Sequence, residues 1–89
     1  MANPASITCP ANIWTKVAEN VVSGQLHKLG KGPDLYIQTY RDAGDPPPVN
    51  TSGAVPVFLN GRSAIISSSV GIDIYIRPVG AAGLIRADL

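Results

Sequence analysis

The residues able to do chemistry in this chain are one histidine, His27, one cysteine, Cys9, and two aspartates in matching sequence contexts, Asp34 and Asp73. His27 could serve as a general base if a serine and one of these aspartates were brought to it, the arrangement that nucleophilic hydrolysis needs. No nucleophile elbow or comparable local frame gathers those groups. A strand histidine on a solvated or interface face is the plainer expectation, and no catalytic residue is assigned. Cys9 has no second cysteine and no basic cluster to stabilise a thiolate, which predicts a packed, inert thiol. A single Cys and a single His cannot supply the four ligands of a structural zinc site. Asp34 and Asp73 alone offer too few oxygens for calcium. Neither a metal nor a cofactor is expected.

Weaker patterns resolve the same way. Gly30-Lys31-Gly32 has the glycines of a phosphate-cradling loop, but a strand follows where a helix N-terminus is required. Asn50-Thr51-Ser52 matches a glycosylation acceptor. Met1 to Pro4 has no basic segment leading into an apolar run, so no secretory leader is expected and the triplet reads as polar loop. Pro46-Pro47-Pro48 lacks the basic flank of a groove-binding proline motif and suggests a stiff connector or an intersubunit strap. Trp14, Tyr36, Tyr40 and Tyr75 could stack sugars or bases, although aromatics spread over three strands more often form core edges and interface anchors.

Composition narrows the class. Eighty-nine residues make one domain that buries only roughly two-thirds of its unfolded surface, so its stability margin is thin. Such domains lean on disulfides, metals or self-association, and the first two are absent from this sequence. The net charge of +1, with Lys and Arg scattered, argues against nucleic acid as a partner. Hydrophobics reach 45% against 15% charged residues, a balance that favours an oligomer or a larger assembly. No stretch approaches the length that spans a membrane, and a reducing cytoplasm is the expected place of synthesis.

The elements that would position these groups are strands. A five-residue phrase occurs twice, Asp34-Leu35-Tyr36-Ile37-Gln38 and Asp73-Ile74-Tyr75-Ile76-Arg77. Its alternation predicts aliphatics (Leu35, Ile37; Ile74, Ile76) on a buried face and Asp, Tyr and Gln or Arg on the other. Further strands are expected over 12–18 and 21–29 with a turn at Glu19-Asn20. A hairpin is expected at Asn60-Gly61, and another strand between the Ser67 to Gly71 punctuation and the Gly80 to Gly83 turn. Residues 84–89 close the sheet. Residues 1–11 read as an irregular arm able to dock as an edge strand, 12–89 as the domain, and 44–55 as a proline-rich loop. The expected fold is all-β: a small antiparallel β-sandwich or partly closed barrel of about seven or eight strands.

The strand phrases, from Trp14-Thr15-Lys16-Val17-Ala18 through Asp34 to Gly44 and Ile72 to Gly80 to Gly83-Leu84-Ile85-Arg86, resemble small β-sandwich virion proteins of tailed bacteriophages. Capsid decoration, or cement, proteins are the nearest group. That resemblance implies a non-enzymatic subunit, a homotrimer or other homo-oligomer. It would sit on the capsid surface of the virion, bridge neighbouring copies of the major capsid protein and resist internal DNA pressure. The expected contact residues are Pro46, Pro47, Pro48, Val49, Ile7, Trp14 and Tyr40. The alternative is a receptor- or glycan-binding module of a tail fibre or spike that uses exposed tyrosines.

Overall fold

The structure, a computed structural model, describes residues 5–30, 33, 35–51, 53–57 and 64–88. Six strands occur among them: β1 (Ala5–Cys9), β2 (Thr15–Leu29), β3 (Tyr36–Asp42), β4 (Val55–Val57), β5 (Ala64–Pro78) and β6 (Gly83–Asp88). They form one antiparallel sheet in the order β1-β6-β2-β5-β3-β4, curled into a half-barrel. No helix occurs among the described residues.

The core lines one face of that sheet. Along β5, Ile72, Ile74 and Ile76 are buried among Val17, Val21, Leu26, Ile66, Ile85 and Ala87. Successive strand residues point to opposite faces, so this period-two run of isoleucines fixes which face turns inward. Burying each such side chain stabilises the fold by about 1.5–3 kcal/mol relative to exposure. Cys9, wholly buried, and Ile7 carry β1 onto the same core. The segment expected as an arm therefore supplies an edge strand, Ala5–Cys9, paired with Gly83 to Ala87 of β6.

Two expected boundaries prove to be bends within long strands. β2 and β5 each run 15 residues. Their register passes from Lys16↔Tyr75 to Val21↔Ile72 and then to Ser23↔Ser67, so five positions of β5 answer two of β2 in the last step. Extra residues on one strand of a pair bend it and sharpen the local twist. Asn20 accommodates the bend with φ 50°, a left-handed conformation that asparagine tolerates better than most residues. Opposite it, Gly71 leaves the space that the Asn20 side chain fills, since a Cβ there would collide with it. Glu19-Asn20 and the Ser67 to Gly71 stretch are thus paired bulges rather than turns. The merging of their flanking strands brings the described total to six.

The repeated phrase also divides differently from the expectation. β3 and β5 are neighbours, with Gln38 opposite Ile76, Thr39 opposite Tyr75 and Arg41 opposite Asp73. Cross-strand partners share a face, so Tyr36 and Gln38 lie on the core face with Ile74 and Ile76. Tyr36 is fully buried there, while half-buried Ile37 faces outward beside Arg77. The second phrase keeps the expected split and the first inverts it. The Asn60-Gly61 hairpin, Asp34 and the Lys31-Gly32 pair lie outside the described residues.

Candidate interaction site

The outer face of β5 carries a carboxylate with no exposure. Asp73 accepts hydrogen bonds from the backbone N–H of Asn20 at 2.9 Å and of Gly44 at 3.2 Å, and Lys16 Nζ stands 3.7 Å away. The Asn20 N–H, which outweighs the burial that opposes it, then the Gly44 N–H and the Lys16 ammonium, hold its carboxyl below the usual 3.8. One side chain thereby ties the β2 bulge, the end of β3 and β5 together.

Gly44 opens the proline loop, and the loop's far end is fastened as well. The indole N–H of Trp14 donates to the Asn50 carbonyl at 3.0 Å. Between these anchors Pro48 is buried, while Pro46 and Pro47 are exposed and Val49 is 90% exposed. Tyr75 lies on the outer face between Asp73 and the Trp14 end of β2. It is buried although it stands apart from the core cluster, and Lys16 Nζ sits 5.9 Å from its ring centroid. The loop is a strap across the outside of the sheet.

The core face opens at the other side into a groove of about 200 Å³, lined by Gln38, Tyr40, Ile65, Ile66, Ser67, Ser68, Ile72 and Ile74. Tyr40 and Ile65 stand at its rim, 61% and 78% exposed. Register explains part of the composition: Gln38 faces Ile76 and Tyr40 faces Ile74 across β3 and β5.

The expected contact residues consequently separate. Pro46, Pro47, Val49 and Tyr40 present surface; Pro48 and Ile7 turn inward, and half-buried Trp14 anchors the strap. Of the tyrosines, only Tyr40 is exposed, so Tyr36 and Tyr75 offer no platform to a saccharide. Cys9 is buried, and desolvation raises its thiol to about 11 against a hydrogen bond to Thr15 that lowers it.

His27 lies against a third aspartate, Asp88. Its Nε2 is 2.8 Å from Asp88 Oδ2, and Arg86 Nη2 donates to the same oxygen at 3.1 Å. β2 and β6 pair His27 with Arg86 and Gln25 with Asp88, which brings all three to the outer face. Such a couple can orient an imidazole or fasten β6 to β2. No motif surrounds Asp88, and only the strand pairing reveals the contact. Asp73, by contrast, spends its oxygens on backbone donors. No group of three or more His, Cys, Asp or Glu residues that could hold a metal occurs among the described residues.

Comparison with protein families, with curated proteins and with solved structures finds no match for this chain.

Proposed function

We propose that this protein is a non-enzymatic structural subunit that self-associates and decorates the outer surface of a phage capsid, contacting the major capsid protein. The observation that carries the reading is the apolar surface on so small a domain. Tyr40, Val49, Val55, Ile65 and Val70 are each more than half exposed. Tyr40 and Ile65 rim one groove, and exposed apolar side chains beside a concavity mark an interaction surface. The half-barrel has an open side, which a neighbouring copy would cover, supplying between chains the second layer that a sandwich has within one. The resemblance of the strand phrases to decoration proteins supplies the capsid address, and a fold by itself does not.

Co-sedimentation with expanded phage heads stripped of decoration tests it. Saturable binding in a fixed ratio to the major capsid protein is expected, and protein that stays in the supernatant at micromolar concentration overturns the capsid assignment.

A further inference from the structure

We propose that the proline strap of one copy docks into the groove between β3 and the bent end of β5 on the next, a head-to-tail contact that builds the oligomer. This deepens the self-association part of the function proposed above and rests on it. The two surfaces face opposite ways on one molecule. The strap is fastened to the outer face through Asp73 and Trp14, whereas the groove is floored by Ile66, Ile72 and Ile74 of the core face. A loop so tethered cannot fill its own groove.

The chemistry of the two surfaces matches. Three successive prolines favour the polyproline II conformation, whose three-residue turn puts Pro46 and Val49 on one edge when Pro48 faces the protein. Such a segment has little conformational entropy left to lose on binding, and its prolines offer carbonyl acceptors with no N–H donors. Aromatic-lined grooves bearing side-chain donors are the general receptors for it. Tyr40 supplies the ring, Gln38, Ser67 and Ser68 the donors, and among the described residues no charged side chain lines the groove. Its roughly 200 Å³ falls below the ~300–1,000 Å³ of small-molecule pockets and suits an inserted ring or branched side chain. A heterologous contact of this kind closes into a ring when its rotation permits.

The test is light-scattering mass measurement of the wild type, Val49→Asp, Tyr40→Asp and an equimolar mixture of the two variants. Far-UV circular dichroism and urea midpoints would check that each variant folds. Each variant alone should fall to the mass of one chain. The mixture should recover a two-chain species, because one variant keeps an intact groove and the other an intact strap. A synthetic peptide spanning residues 44–51, added in excess, should lower the wild-type mass and leave Tyr40→Asp unchanged, which serves if either variant misfolds. Variants that keep the wild-type mass, a mixture that stays monomeric, or a wild-type mass indifferent to the peptide would overturn the proposal. Saturable saccharide binding abolished by Tyr40→Asp would overturn it too, by giving the groove another occupant. Head binding is read separately: if it survives while the strap contact fails, the decorating function stands without this interface.

Discussion

The phenol end of Tyr36 lies directly against the Cα of Gly83, so β3 and β6, which do not pair, meet across the hollow of the curled sheet. Tyr36 has no exposure, and its ring has nowhere to retreat. A methyl group at 83 must therefore displace a packed aromatic. Gly83→Ala should lower stability by about 1–3 kcal/mol, as overpacking of a core does. Combining it with Tyr36→Leu should cost less than the sum of the two single changes, since they share one contact. Urea denaturation of the four proteins checks this, and strictly additive losses would show that the two residues do not touch.

Asp73 makes acid stability readable. Its folded-state carboxyl lies below the ordinary value of 3.8, so the stability it contributes is present above that pH and is lost as pH falls through the lower folded value. The wild type should weaken more steeply below about pH 4 than Asp73→Asn, which starts less stable and has lost that proton linkage. Urea midpoints between about pH 2 and 6 measure it. Parallel curves for the two proteins would mean that Asp73 is not held by Asn20 and Gly44.

Cys9 reports on the edge strand. Buried, and with its thiol raised to about 11, it should resist disulfide reagents at neutral pH and react only as the protein opens. Its labelling rate should rise with urea in step with the unfolded fraction. Stoichiometric reaction within seconds in native buffer would show that β1 is not docked.

Ile74 occupies the centre of the core face. Ile74→Val should cost about 0.5–1.5 kcal/mol and Ile74→Ala about 2–5 kcal/mol. For a small domain at the low end of the usual range of about 5–15 kcal/mol, the second change should leave a measurable unfolded fraction at 37 °C. A small, equal effect of both would place Ile74 outside the core.

Much of this was legible in the sequence, for local reasons. Isoleucines at 72, 74 and 76 announce a strand and its buried face through side-chain period alone. The proline run forbids a central strand, and Gly80 to Gly83 does turn the chain into β6. What escaped depends on pairing between distant segments. Glu19-Asn20 has the composition of a turn, and only the opposing Gly71 and the Asp73 carboxylate convert it into a bulge. The inward position of Tyr36 follows from its register with Pro78, and a repeated phrase says nothing about that register. The His27–Asp88 contact likewise exists only because β6 returns beside β2.

Self-association of the wild-type chain is the claim on which the functional reading stands, and light scattering on the purified protein at micromolar concentration measures it directly. The expected result is a mass that is a whole multiple, greater than one, of 9.3 kDa. A single species of 9.3 kDa that persists across that concentration range would contradict it.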